Sequence, residues 1–91
     1  MTINTLYKTI QQRIKYMPDN SYIASLIREG TDRIIQKVGE EATEVVIAAK
    51  NERKQRIIEE TADLLFHTLI LLSAYNISPK EILEELENRR T

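Results

Sequence analysis

Apolar residues recur every three or four positions along nearly the whole chain, separated by short polar intervals. That period is the mark of α-helices with one face turned inward, and the β-branched alternation of strands is scarce. The fold class is therefore predicted to be all-α. A first helix is expected from about Ile3 to Tyr16, with Ile3, Leu6, Tyr7, Ile10 and Ile14 on one face, broken by "MPDNS" at Pro18. Ser21 is read as the cap of a short second helix, Tyr22 to Glu29, which stops at Gly30. Thr31 is read as the cap of a third helix reaching about Asn51, and a fourth follows from Arg53 to Tyr75. Ser78 and Pro79 form a cap and first-turn pair for a last helix ending near Asn88. Residues 1–91 are read as a single domain.

At 100° per residue, Ile34, Ile35, Val38, Ala42, Val45, Val46 and Ala49 share one apolar arc of the third helix. Lys37, Glu41, Glu44 and Ala48 form a stripe along its edge, and Glu40 points further toward solvent. On the fourth helix Glu60, Asp63 and His67 lie in line with Ile70, Leu71 and Ala74. Its remaining sides carry Ile57, Ile58, Leu64, Leu65, Phe66, Leu69 and Leu72. Asp63 is thus expected to be buried, and a buried carboxylate needs a partner or a cation. Because this helix is apolar nearly all round, it is also expected to pack against its symmetry mate in a homodimer.

Composition narrows the chemistry. With 13 basic against 14 acidic residues in 91, no global field points to nucleic acid, and no run is long enough to span a bilayer. The chain has no cysteine, which excludes disulfides and thiolate metal sites and fits a reducing compartment. Its polar start, "MTINTLYKTIQQRIKY", does not read as a signal peptide, so a cytoplasmic location is expected.

Two acidic pairs at i, i+3 remain: Glu41 with Glu44 and Glu60 with Asp63. If the third and fourth helices form an antiparallel hairpin, both pairs fall at similar heights and four carboxylates face one another. At roughly 5 Å and an effective dielectric of about 20, each like-charge contact costs on the order of 3 kcal/mol, so cations are expected to relieve it. All-oxygen donors favour Mg²⁺, with Mn²⁺ as a substitute, and Mg²⁺ commonly shares its shell with phosphates. No Walker-type glycine loop is present, so nearby cations must help to hold such phosphates. Lys37 either does this or simply pairs with Glu41. Arg33, Lys50 and Lys54 are weaker candidates. His67 is expected to hydrogen-bond Asp63 rather than bind metal. Tyr22, Phe66 and Tyr75 are read as core rather than as a shelf for a base.

The stretches "SYIASLIREGTDRIIQKVGEEATEVVIAAKN", "EETADLLFHTLILL" and "ILEELENRR" resemble phosphoribosyl-ATP pyrophosphohydrolase, the histidine-biosynthesis branch of the MazG-like all-α nucleotide pyrophosphohydrolases. The superfamily pattern E-E-x-x-E followed by E-x-x-D is met by Glu40, Glu41, Glu44, Glu60 and Asp63. The resemblance implies Mg²⁺-dependent hydrolysis of 1-(5-phosphoribosyl)-ATP to 1-(5-phosphoribosyl)-AMP and pyrophosphate, on a hairpin that dimerises into a four-helix core. Many relatives carry a phosphoribosyl-AMP cyclohydrolase domain that is not found in this sequence, so a separate protein is expected to act next. Within this reading Glu41, Glu44, Glu60 and Asp63 hold metal, and Glu40 orients a ligand or assists the proton of the attacking water. Two alternatives are kept open: a housecleaning hydrolase of ordinary or damaged nucleoside triphosphates, and a non-catalytic helical dimerisation module.

Overall fold

The structure, a computed structural model, describes residues 1–90, and among them every regular element is a helix. The helices are α1 (Ile3–Tyr16), α2 (Tyr22–Glu29), α3 (Thr31–Lys50), α4 (Lys54–Ala74) and α5 (Pro79–Asn88). Each matches the expected span to within one residue. None is long and apolar enough to cross a membrane.

Local chemistry accounts for most of the ends. Thr2 and Thr5 close a capping box on α1, Ser21 Oγ accepts from the Ala24 N–H, and Ser78 with Glu81 caps α5 behind Pro79. The expected Thr31 cap is not formed. Thr31 is already helical and Gly30 stands in the capping position with φ 104° and ψ 165°, without a side-chain bond. This single residue both ends α2 and starts α3: its N–H reaches Leu26 O at 3.1 Å, and its carbonyl accepts from Arg33 N at 3.1 Å. A turn that tight needs a positive φ, which glycine adopts without a Cβ penalty.

The α3–α4 turn is closed by Glu52 at φ 54°, with Arg53 N donating to Ala48 O at 3.1 Å. Asn76 does the same at the end of α4, where Ile77 N donates to Leu72 O at 2.9 Å. Both are the left-handed C-terminal motif that satisfies carbonyls of the last helical turn. The Tyr7 hydroxyl then donates to Ile77 O at 2.6 Å, fixing α1 against the α4–α5 link.

α3 and α4 pack along each other as the expected antiparallel hairpin, and α1 and α2 cover only part of it. The core joins Tyr7 and Ile10 of α1, Ile23 and Leu26 of α2, Ile34 of α3, and Leu69 and Ile70 of α4. Ile10, Leu26, Ile34 and Ile70 are wholly enclosed, each contributing about 1.5–3 kcal/mol of burial. On the hairpin itself the core residues lie at the start of α3, at Ile34, and in the later half of α4, at Leu69 and Ile70. The half of the hairpin nearer the turn is therefore uncovered, and Val46, Ile47 and Ile58 are exposed there.

Two expectations change as a result. Ile35, Val46 and Ala49 of the supposed inward arc face outward, whereas the flanking stripe supplies the buried Glu41 and Ala48. Tyr22 and Tyr75, read as core, are half-exposed and exposed, while Phe66 packs partly buried against the core.

Candidate functional site

The two helices of the hairpin bring carboxylates together on their seam. One oxygen each of Glu41, Glu60 and Asp63 lie within 4.8 Å of one another. Glu41 comes from α3 and the other two from α4, so the cluster exists only because the antiparallel register sets these heights level. Glu44 does not join the converging group. It is exposed one turn nearer the hairpin turn, beside Ala48, Asn51 and Arg56. Glu40 points outward as expected, accepting from Gln36 Nε2 at 2.8 Å with Arg33 Nη1 at 3.9 Å.

Burial is distributed differently from the expectation. Glu41 and Glu60 are the enclosed acids, 8% and 7% exposed, whereas Asp63 is exposed. The reason is coverage: within one chain α4 packs chiefly on α3 and to a lesser extent on α1, which leaves Asp63 open to water.

Cations of the chain itself offset the repulsion. Lys37 Nζ stands 3.7 Å from Glu41 Oε1, and Arg56 Nη2 donates to Glu60 Oε1 at 2.6 Å. Arg56 also donates through Nη1 to Glu59 Oε1 at 3.0 Å. The hydrogen bond to Glu59, followed by the charge of Glu60, raises the Arg56 pKa above its ordinary value, so it is charged at any working pH. Arg56 was not among the residues singled out from sequence, although its i, i+4 spacing to Glu60 was a readable signal. Lys50 and Lys54 are exposed and make no ion pair among the described residues.

His67 is buried against this cluster. Its Nδ1 faces the Asp63 backbone carbonyl at 2.9 Å and Glu41 Oε1 at 3.1 Å. It therefore serves Glu41 across the seam and the Asp63 main chain, not the Asp63 carboxylate. With two acceptors facing it, Nδ1 is placed to carry a proton, and Nε2 pairs with the Tyr22 hydroxyl at 2.7 Å. The Tyr22 ring stacks at 6.2 Å and 21° on Phe66, whose edge meets His67 at 5.4 Å. No buried side-chain polar atom among the described residues lacks a partner.

Three convergent carboxylates, with no thiolate and with the one imidazole turned to hydrogen bonding, form a donor set for a hard divalent cation. An all-α hairpin bearing such a set on its seam defines a class, the helical carboxylate proteins that handle divalent cations. Comparison with known proteins makes this specific. Residues 3–90 match the family model described as phosphoribosyl-ATP pyrophosphohydrolase, and the chain belongs to that family. It is 51% identical over 87 residues to a phosphoribosyl-ATP pyrophosphatase of Geobacter metallireducens, covering 96% of this chain and 80% of the relative. Similar proteins of the same name occur in Geobacter sulfurreducens, 49% identical with 96% and 81% covered, and in Sulfolobus acidocaldarius, 44% identical with 96% and 92% covered.

Proposed function

We propose that this chain hydrolyses 1-(5-phosphoribosyl)-ATP to 1-(5-phosphoribosyl)-AMP and pyrophosphate, the second step of histidine synthesis, with Mg²⁺ bound at the seam of α3 and α4. The observation that carries this reading is the convergence of Glu41, Glu60 and Asp63 within 4.8 Å in a chain of this family. Glu44, exposed a turn away, is assigned as a further ligand. Mn²⁺ satisfies the same oxygen donors and is the expected substitute.

When bound, the cation supplies charge neutralisation for the triphosphate and Lewis acidity at the reacting phosphorus. The chain supplies the rest. Lys37 and Arg56 hold the two buried glutamates in place, and His67 fixes the orientation of Glu41 through its Nδ1 proton. Glu40, outside the cluster, is assigned to orienting the attacking water or accepting its proton. Lys37 reaches Glu41 in this structure, so its phosphate role is assigned only alongside that ion pair; Arg33, Lys50 and Lys54 are assigned no more than long-range attraction of the substrate.

A homodimer is part of the proposal. Its support is the apolar surface that one chain leaves uncovered, including Val46, Ile47, Ile58, Leu65, Ile82 and Leu83. Exposed apolar side chains in this number are what a second copy of the chain would cover.

The experiment is pyrophosphate release from phosphoribosyl-ATP with and without Mg²⁺, beside a panel of plain nucleoside triphosphates. Mg²⁺-dependent release with preference for phosphoribosyl-ATP is expected. Preference for the plain triphosphates would replace the reading with a housecleaning hydrolase, and no turnover of either would leave a non-catalytic helical module.

A further inference from the structure

The first turn of α4 and the last turn of α3 enclose a small cleft of about 170 Å³, lined by Glu44, Ile47, Ala48, Asn51, Arg53 and Arg56. It is continuous with the carboxylate cluster through one residue. The guanidinium of Arg56 lines the cleft and also touches the buried Glu60, with Nη2 at 2.6 Å from Oε1. Arg56 precedes Glu60 by four residues, about 6 Å along the helix axis at 1.5 Å per residue. Arg56, Glu60, Asp63 and His67 follow one another at i+4, i+3 and i+4 on a single α4 stripe. The site therefore has two unlike ends. The aromatic side chains Tyr22 and Phe66 gather beside His67, and two guanidinium groups gather beyond Glu60.

We propose that the Arg53–Arg56 cleft seats the distal phosphates of the substrate, the pair that leaves as pyrophosphate. This rests on the hydrolysis proposed above and gives the bound substrate a direction, with its phosphate tail toward the α3–α4 turn and its nucleoside toward Tyr22.

The chemistry of the cleft suits this anion. An arginine carries five N–H donors in a planar fork that matches phosphate oxygens, and the two bonds of Arg56 to Glu59 and Glu60 leave other donors free. Arg53 lines the cleft with no ion-pair partner among the described residues. The Asn51 side chain offers an amide on the same wall. Glu44, which also lines the cleft, would oppose a bare phosphate, an opposition that a divalent cation held by the carboxylates would relieve. With no glycine loop to wrap phosphates, this is where the chain sets paired guanidinium groups against its acidic cluster.

Isothermal titration of inorganic pyrophosphate with Mg²⁺ present, and of AMP as a second titrant, tests this on the full chain, on Arg53→Ala and on Arg56→Lys. Both variants are expected to weaken pyrophosphate by about tenfold or more and to leave AMP unchanged. Arg53→Ala is decisive because Arg53 touches no carboxylate of the cluster. Unchanged pyrophosphate binding in it, equal loss of AMP, or a loss confined to Arg56→Lys would each overturn the assignment. Unaltered helical circular dichroism keeps misfolding out of the comparison. A wild-type chain that hydrolyses phosphoribosyl-ATP yet binds no pyrophosphate sinks the cleft alone, whereas one that binds pyrophosphate without hydrolysis sinks the reaction and leaves the cleft standing.

Discussion

The Tyr22 hydroxyl lies 2.7 Å from His67 Nε2, and through that ring α2 is linked to the acidic seam of the hairpin. His67 meets Glu41 Oε1 at 3.1 Å with its other nitrogen, so Tyr22 helps to decide where the buried Glu41 carboxylate points. Partners of this outer kind typically change metal affinity or activity by about 10–100-fold when removed. Tyr22→Phe keeps the stacked ring and deletes only the hydroxyl. It is expected to weaken Mg²⁺ binding by about tenfold in calorimetry, with the metal-free melting temperature close to wild type. Unchanged Mg²⁺ affinity would show that the tyrosine is only packing.

Glu41→Gln and Asp63→Asn should both abolish hydrolysis but separate in stability. Glu41 is enclosed and holds Lys37 and His67, so losing its charge is expected to lower metal-free stability by about 1–2 kcal/mol in urea melts. Asp63 is exposed, and its amide variant should stay within about 0.5 kcal/mol. Retained turnover in both would remove these residues from the site.

Much of this was legible beforehand, for reasons that can be traced to particular residues. Ser21, Gly30, Ser78 and Pro79 act within a few positions of themselves, so they fixed helix ends that agree with the structure to within a residue. The i, i+3 pair on α4 and Glu41 on α3 met because a short turn sets an antiparallel register. What failed depended on coverage by other helices. Asp63 looked enclosed because its own helix is apolar, yet exposure is decided by neighbours that α4 does not have in one chain. The Tyr22–His67 bond spans 45 positions and leaves no periodic trace. Arg56 was visible as a spacing, but its link to a cleft required the α3 end to be brought beside it.

Metal should appear as stability. A ligand that binds only the folded chain at about 100 times its Kd adds about 2.7 kcal/mol. For a domain of this length that corresponds to a rise in Tm on the order of 10 °C, which EDTA should reverse. Mn²⁺ should reproduce the shift, and Asp63→Asn should reduce it. An unshifted Tm at millimolar Mg²⁺ would count against a cation site.

The turn between α3 and α4 holds a strained position. Glu52 sits at φ 54°, where an L side chain is disfavoured, and closes the turn through the Arg53 N–H to Ala48 O bond. Glu52→Gly relieves the Cβ clash but enlarges the conformational freedom of the unfolded chain. The net expectation is a gain of about 0.5 kcal/mol in denaturant melts, because a Cβ penalty of about 1–2 kcal/mol exceeds the added entropy of about 0.5–1 kcal/mol. A loss of stability would mean that the Glu52 side chain makes a contribution its contacts do not reveal.

The face of α4 opposite the carboxylates bears on assembly. Ile58 and Leu65 lie seven residues apart, two helical turns, and both point away from the Glu60–Asp63–His67 stripe. They are 53% and 42% exposed in the single chain, and α5 adds exposed Ile82, Leu83 and Leu86 nearby without burying any residue of its own. Removing such side chains from water is worth about 25 cal/mol per Å², so a second copy placing the same face against this one would cover what a small chain cannot. Because Ile58 and Leu65 contribute little to the interior of one chain, Ile58→Lys combined with Leu65→Lys should leave the helical circular dichroism intact. Light scattering at micromolar concentration should then show a dimer for the wild type and a monomer for the double variant. A monomeric wild type would contradict the dimer, and a double variant that remains dimeric would move the interface to the exposed residues near the end of α3, Val46 and Ile47.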